Sequence, residues 1–361
     1  ARTTGAYARV RQQFNVPLSR FEGVQEAMAR IAANTYVIDA ARNVTAGALD
    51  IGEEPSVLSA VLKYQATERM RASVNDAMDV HGGRAICDGP SNYLFHPYMA
   101  APVAITVEGA NILTRSLIIF GQGAVRCHPW LLEEMNAAAL DDPHEALARF
   151  DGAFMGHVGH ILTNLARAAF RNLTGGVLGS DPSVGEVNYW YAQLERASAS
   201  FAVVADATLA QLGGALKRRE MLSGRFADVL GELYLLSCAI KHFEDGGRST
   251  AELPLLEFAM RDGLYTVQSR LDEILQNLPS RSVAWALRRI VFPWGRRWRR
   301  PNDELTASVA NSLAESREIR DRLSFGMYLV DSESDPIGCL EYALRTTEKC
   351  EALSQRVREA I

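Results

Sequence analysis

Helical periodicity is the feature that most constrains this chain. Apolar residues recur at intervals of three, four and seven, whereas alternating apolar–polar runs longer than a few residues are missing. A clear run lies between residues 21 and 50, and another extends from Ser56 to His81. The second run stops at Gly82, where glycine can take the left-handed conformation that ends a helix. These patterns predict an all-α fold.

Helix-breaking residues divide the remainder of the chain. A loop rich in glycine and proline is predicted after Gly83, followed by a short helix at about 111–120. Asp142 and Pro143 then supply a cap and a first-turn proline, which favour a helix start. Long helices are predicted from that point at about 143–172, 183–220, 224–244, 252–278 and 282–291. We therefore predict two helical domains, residues 1–135 and residues 136–361.

Composition limits the classes of protein that this chain can represent. With 361 residues, of which 48% are hydrophobic, it can bury a large core. Its formal net charge of −5 argues against a nucleic-acid partner, which requires a basic surface. Five scattered cysteines indicate a reducing compartment, so we expect a cytoplasmic protein. No apolar run approaches the roughly 18 residues of a membrane-spanning helix. Because Ala1 is not an initiator residue, we expect a piece of a longer protein.

One acidic residue stands out for its surroundings. Glu108 lies between the apolar stretch 105–107 and the small pair Gly109-Ala110, with no Lys or Arg within six positions. An acid in an apolar, glycine-flanked bend is expected to be partly desolvated, which raises its pKa and suits it as a proton acceptor. Gly109 would allow a substrate carbonyl to approach closely. The competing interpretation is an ordinary acid near a helix start.

Four motifs, in order, resemble those of the acyl-CoA dehydrogenase family. The stretch 101–129 (APVAITVEGANILTRSLIIFGQGAVRCHP) is similar to the family's catalytic-base region, and more narrowly to that of the large bacterial FadE-type enzymes. Arg115 matches the arginine that follows the family's Glu-Gly pair. Residues 11–17 (RQQFNVP) resemble its Arg-x-x-Phe-Gly-x-Pro motif, with Asn15 in place of glycine. Residues 79–83 (DVHGG) resemble its Gln-x-x-Gly-Gly turn, with Asp79 in place of glutamine.

The resemblance implies a reaction and a set of site residues. The reaction is α,β-dehydrogenation of a fatty acyl-CoA to trans-2-enoyl-CoA, the first step of fatty acid β-oxidation. Glu108 would be the catalytic base and FAD the hydride acceptor, with Gly109 and Arg115 on the substrate side. The residues implied to bind FAD are Arg11, Phe14, Gly82 and Gly83. The implied partners are the fatty acyl-CoA, an electron-transfer flavoprotein or other electron acceptor, and further copies of the chain.

The resemblance also implies an architecture. The chain would comprise the C-terminal helical bundle of an acyl-CoA dehydrogenase, followed by an additional helical domain of the bacterial type. The family's amino-terminal helical domain and β-domain, which complete the flavin pocket, have no counterpart in this sequence. Two alternatives stay open. One is an acyl-CoA oxidase-like activity with oxygen as the acceptor, and the other makes residues 140–361 a membrane-docking or oligomerisation module.

Three further patterns lie outside these motifs. Between Arg288 and Arg300 the chain has six arginines, two tryptophans and no acid, which favours peripheral contact with the inner membrane. The competing interpretation is that the arginines pair with acids elsewhere in the fold. His157 and His160 have a spacing that two metal ligands could use, but no nearby residue completes a set, so no metal site is predicted. The pair Cys127-His128 is interpreted as loop packing.

Overall fold

The computed structural model of the protein describes residues 1–123, 128–178, 185, 187–330, 332 and 334–360. The all-α prediction is confirmed, because the described residues form fifteen α-helices with little other regular structure. The helices are α1 (Arg2–Val10), α2 (Glu22–Asp50), α3 (Ser56–His81), α4 (Gly83–Ile86), α5 (Phe95–Thr106), α6 (Asn111–Leu113), α7 (Leu131–Ala138), α8 (Pro143–Leu173), α9 (Asn188–Leu212), α10 (Glu220–Asp245), α11 (Leu253–Gln276), α12 (Arg281–Val291), α13 (Asp303–Glu315), α14 (Arg317–Leu323) and α15 (Pro336–Ala360). A π-helix, Thr114–Gln122, continues α6, and 3₁₀ turns lie at Leu18–Arg20 and Gly213–Arg218.

Helix α10 lies at the centre of the core. It packs against α2, α11 and the π-helix, and its side chains Phe226, Leu235 and Phe243 are completely buried. The apolar core is continuous from Ala8 in α1 to Ile319 in α14. Helices from both halves of the chain therefore contribute to one core. The predicted boundary between two domains near residue 135 stays a prediction.

Most predicted helix limits agree with the structure within a few residues. Helix α3 has the predicted limits, and α8 begins where Asp142 accepts a hydrogen bond from the His144 N–H at 2.9 Å. Helix α5 was not predicted, because Pro97 and Pro102 are helix-breaking residues. Pro97 lies in the first turn, where no intrahelical hydrogen bond needs its missing N–H.

The motif at residues 11–17 contains a β-hairpin. The strands β1 (Gln12–Gln13) and β2 (Val16–Pro17) are antiparallel and joined by Phe14 and Asn15. These two residues have φ values of 54° and 63°. A type I′ hairpin turn has left-handed backbone at both central positions, and asparagine tolerates it better than most residues. Asn15 can therefore replace the glycine of the family motif.

One described helix, 188–218, is long and apolar enough to cross a membrane. The helices Phe95–Thr106 and Asn111–Gln122 are joined by a bend and would also be long and apolar enough if they formed a single span. Helix α9 nevertheless buries polar side chains that have partners in the bundle. Arg196 Nε donates to Asn172 Oδ1 at 2.8 Å, and Gln193 Nε2 donates to Gly175 O at 2.9 Å. These contacts identify α9 as a core helix of the bundle.

Candidate active site

Glu108 lies in a strained turn between α5 and α6. Its φ is 56°, and that of Gly109 is 93°, so two successive residues have left-handed backbone. Glycine adopts this conformation freely, whereas a residue with a Cβ loses about 1–2 kcal/mol. A non-glycine residue held in this region is a marker of functional sites.

Lys63, on α3, fixes this turn. Its Nζ donates to Gly109 O at 2.7 Å and to Asn111 Oδ1 at 2.7 Å, and it approaches Ile105 O at 3.4 Å. Asn111 is itself buried and donates through Nδ2 to Thr67 Oγ1 at 2.9 Å and to Glu68 Oε1 at 2.8 Å. The turn is therefore attached to α3 on both sides of Glu108. Lys63 was not predicted from the sequence, because 46 residues separate it from Gly109 and no local pattern marks it.

The predicted desolvation of Glu108 is wrong for the chain as described. The Glu108 side chain is exposed, and so are its apolar neighbours Val103, Val107 and Ile112, the last to 79%. The prediction assumed that apolar neighbours in sequence surround the carboxylate in space. In the structure these neighbours are themselves exposed, so they do not enclose the carboxylate. The catalytic role of Glu108 stays a prediction.

Arg115 is bound within the protein. Its Nε and Nη2 both donate to Asp228 on α10, each at 2.6 Å. The Asp228 hydrogen bonds raise the pKa of Arg115 above its ordinary value, so the guanidinium stays charged. Asp228 also accepts a hydrogen bond from Tyr64 at 3.2 Å and pairs with Arg270 at 2.9 Å. The geometry therefore favours a structural role for Arg115, joining the π-helix to α10, over the predicted contact with substrate.

The residues predicted to bind FAD lie near the junction of α1 with the end of α3. Arg11 and Phe14 belong to the exposed hairpin that follows α1, and the Phe14 side chain is 86% exposed. Gly82, with φ of 58°, ends α3, and Gly83 begins α4. No atom lies within 4 Å of where a Cβ would be on either glycine, so the backbone there is accessible. Their role in binding FAD stays a prediction.

His81 joins α1 to the end of α3. Its ring stacks on Tyr7 of α1 at 4.2 Å, Nδ1 donates to Ala77 O at 2.7 Å, and Nε2 accepts from the Tyr93 hydroxyl at 2.8 Å. Burial lowers the pKa of His81 to about 4, so the ring is neutral at physiological pH. The tautomer is assigned from these hydrogen bonds. His81 thus positions the glycine turn beside α1.

The cofactor-site residues are far from the catalytic candidate. Gly82 follows Lys63 by nineteen positions on the same helix. At the rise of an α-helix, this separation is about 28 Å. The structure therefore places Gly82 beside α1, the helix that precedes Arg11 and Phe14, and far along α3 from the residue that fixes the Glu108 turn.

His157 belongs to a cluster with His128 and Asp206, whose possible ligand atoms all lie within 4.8 Å of one another. His128 Nδ1 accepts from the backbone N–H of Trp130 at 3.2 Å, so its Nε2 carries the proton that faces Asp206 at 3.3 Å. His157 Nδ1 contacts Glu134 Oε1 at 2.7 Å. These hydrogen bonds give the cluster a structural role, because they join α7, α8 and α9. Cys127 lies outside the described residues.

Two family profiles match the chain. Residues 1–120 match the family profile described as acyl-CoA dehydrogenase, C-terminal domain. Residues 125–361 match the profile described as acyl-CoA dehydrogenase, C-terminal, bacterial type.

A solved structure and a curated relative are also similar. The fold resembles that of an acyl-CoA dehydrogenase complexed with FAD from Bacillus anthracis, with a TM-score of 0.65 and 17% identity over 86% of this chain and 52% of that one. The 3-(aryl)acrylate reductase of Clostridium sporogenes is 35% identical over 82 residues, which are 21% of this chain and 20% of the reductase. The chain thus spans about half of the first protein and a fifth of the second. On the two family profiles, which together cover almost all of its residues, the chain belongs to the acyl-CoA dehydrogenase family and corresponds to the C-terminal part of its bacterial type.

Proposed function

We propose that this chain carries the catalytic base of an FAD-dependent fatty acyl-CoA dehydrogenase that forms trans-2-enoyl-CoA in fatty acid β-oxidation. The observation that carries the proposal is the geometry of Glu108. A carboxylate stands in a left-handed turn, Lys63 fixes that turn, and exposed apolar side chains lie on both sides of it in sequence. This arrangement suits a base that must meet an apolar substrate at a defined position.

The exposure of Glu108 is compatible with this role if another part of the protein covers it. The chain spans 52% of the Bacillus anthracis dehydrogenase. A protein of that length therefore has about as many further residues available to cover this surface. Covering Val103, Val107 and Ile112, together with an acyl chain, would exclude water from the carboxylate. A desolvated carboxylate holds a proton more strongly and is the better base for a carbon acid.

In the proposed reaction Glu108 takes the proton from the carbon next to the thioester carbonyl. Lys63 keeps the carboxylate in place through the backbone of Gly109, and positioning of this kind contributes several kcal/mol to catalysis. FAD, when bound, supplies the acceptor for the hydride that leaves the β-carbon. The substrate would be an acyl-CoA with an apolar chain, since the side chains around Glu108 are aliphatic.

The hairpin and the glycine turn fit a dinucleotide. Arg11 is an exposed guanidinium suited to phosphate, Phe14 is an exposed ring, and Gly82 leaves the adjoining backbone accessible. Because Gly82 is about 28 Å from Lys63 along α3, we propose that these groups hold FAD at the Glu108 of a second copy. The proposed assembly is therefore a homo-oligomer.

The test is anaerobic reduction of the flavin in the full-length protein by acyl-CoAs of graded chain length. We expect rapid bleaching of the flavin absorbance with the wild type and a rate at least about 100-fold lower with Glu108→Gln, which removes the base and keeps the size. Retention of the wild-type rate by the variant would refute the proposal. Peroxide formation during turnover in air distinguishes the two electron acceptors. We expect no peroxide if the enzyme reduces an electron-transfer flavoprotein, whereas an oxidase forms peroxide from oxygen.

A further inference from the structure

Among the residues that the structure describes, the arginine-rich segment contains arginines that pair with acids and an outward set that does not. Arg288 and Arg296 both pair with Asp272, the latter at 3.3 Å, and Arg300 pairs with Asp262 at 3.7 Å. These three arginines therefore bind acids of α11. Part of the basic segment is structural, as the competing interpretation of the sequence predicts.

Trp298 is also held by the bundle. Its Nε1 donates to Gln193 Oε1 at 2.9 Å, and the guanidinium of Arg196 lies 4.7 Å from the centre of its ring. Its backbone N–H donates to Gln268 Oε1 at 3.0 Å. Trp298 thus fixes the segment after α12 against α9 and α11, and it is not available to a partner.

The outward set consists of tryptophan–arginine pairs. Trp285 and Trp294 are 63% and 58% exposed. The guanidinium of Arg289 lies 5.5 Å from the Trp285 ring, and that of Arg297 lies 5.9 Å from the Trp294 ring. Within the described residues, neither arginine forms a salt bridge. Both guanidinium groups are therefore available to pair with an external anion.

Helix α12 presents this set on one face. Ala284, Leu287 and Val291 are buried against the bundle, whereas Trp285 and Arg289 are exposed four residues apart. Residues at this spacing lie on the same side of a helix. The amphipathic pattern directs one tryptophan and one arginine of α12 outward together.

An apolar flank adjoins the set. The Trp294 indole N–H donates to Leu173 O at 3.0 Å, which places this ring beside the last turn of α8. Phe170 and Leu173 in that turn are 51% and 55% exposed. We name the group formed by Trp285, Arg289, Trp294, Arg297, Phe170 and Leu173 the tryptophan–arginine surface.

We propose that the tryptophan–arginine surface binds the surface of a membrane that contains anionic lipids. Tryptophan rings are favoured at the depth of the lipid head groups, and arginines near a membrane are attracted to anionic lipid. Exposed Phe and Leu beside them suit shallow insertion. A soluble polyanion would use the arginines but not the aromatic and aliphatic side chains. In a cytoplasmic protein, this contact would be with the inner leaflet.

The test is flotation of the full chain with vesicles of phosphatidylcholine, with and without one third phosphatidylglycerol. We expect binding to the anionic vesicles only, weakening as salt rises. The double variant Arg289→Gln/Arg297→Gln should reduce partitioning about 25-fold, since each contacting arginine contributes about fivefold. The matched control is Arg42→Gln/Arg71→Gln, which removes two exposed or half-exposed arginines from α2 and α3 and should leave binding unchanged.

A second measurement addresses the tryptophans. Lipids brominated near the head group should quench part of the tryptophan fluorescence of the wild type, and Trp285→Phe/Trp294→Phe should abolish that quenching. Thermal unfolding of each variant checks that it is folded. The proposal is overturned if the wild type does not bind anionic vesicles, if Arg289→Gln/Arg297→Gln binds as tightly as the wild type, or if the quenching persists without the two tryptophans.

Discussion

Replacing Lys63 by Met tests how the Glu108 turn is held. The substitution keeps most of the aliphatic stem and removes the ammonium group. It therefore eliminates the hydrogen bonds to Gly109 O and Asn111 Oδ1, both at 2.7 Å. Asn111 retains its contacts with Thr67 and Glu68, so the variant affects the Glu108 side of the turn most strongly.

The magnitude follows from these two contacts. A hydrogen bond contributes about 1 kcal/mol net when water can replace it, so the turn loses about 2 kcal/mol. At 1.4 kcal/mol for each factor of ten, the open form of the turn becomes about 30-fold more populated. In the full-length protein, a displaced base should also lower the rate of flavin reduction by about 10- to 100-fold, with a smaller effect on KM.

Hydrogen–deuterium exchange measures the opening directly. We expect amides of residues 105–112 to exchange about 30-fold faster in Lys63→Met, while amides that exchange through other openings keep their rates. Lys241→Met is the matched control, because it removes an exposed lysine of α10 that pairs with Asp245 on the same helix, away from the Glu108 turn. Unchanged exchange at 105–112 in Lys63→Met, or an equal change in the control, would show that Lys63 does not hold the turn.

Two further substitutions test the attachments around the site. Arg115→Met should lower the free energy of unfolding by about 2 kcal/mol in urea titration, below the 3–5 kcal/mol of a stranded buried charge, because Asp228 keeps Arg270; an unchanged midpoint would contradict the structural role. His81 has a pKa of about 4 when folded, below the ordinary 6.5, so the unfolded chain binds a proton first as pH falls. Stability should therefore decline between pH 6.5 and 4 by up to about 3 kcal/mol. His81→Phe, which keeps a ring against Tyr7, should remove that decline in urea titrations at graded pH, and a parallel decline in the variant would refute the assignment.

Local signals in the sequence were sufficient for the limits of several long helices. Pro55 and Gly82 flank α3, and Asp142-Pro143 begins α8, so these limits follow from capping and backbone preference. Helix α5 shows where such signals fail. Pro97 falls in the first turn, where its missing N–H is not needed, and Pro102 lies inside α5 at a position whose tolerance the sequence does not show.

The site was only partly predictable, because its contacts are distant in sequence. The motif located Glu108, but its exposure depends on which surfaces cover it in space. Asp228, which binds Arg115, is 113 residues away from it, and Lys63 is 46 residues from Gly109. Pairings over such separations are set by helix packing. The family resemblance implied a place for Arg115 on the substrate side, but nothing in the local sequence showed its contact with Asp228.

Exchange of the α-protons of an acyl-CoA with solvent deuterium tests the central claim most directly. A thioester whose β-carbon carries no hydrogen, such as 3,3-dimethylbutyryl-CoA, cannot be dehydrogenated, so exchange reports the base alone. With flavin-loaded full-length protein, we predict exchange by the wild type and by the control Glu53→Gln, and a loss of at least about 100-fold in Glu108→Gln. Exchange by Glu108→Gln at the wild-type rate, with flavin still bound, would contradict the assignment of Glu108 as the base.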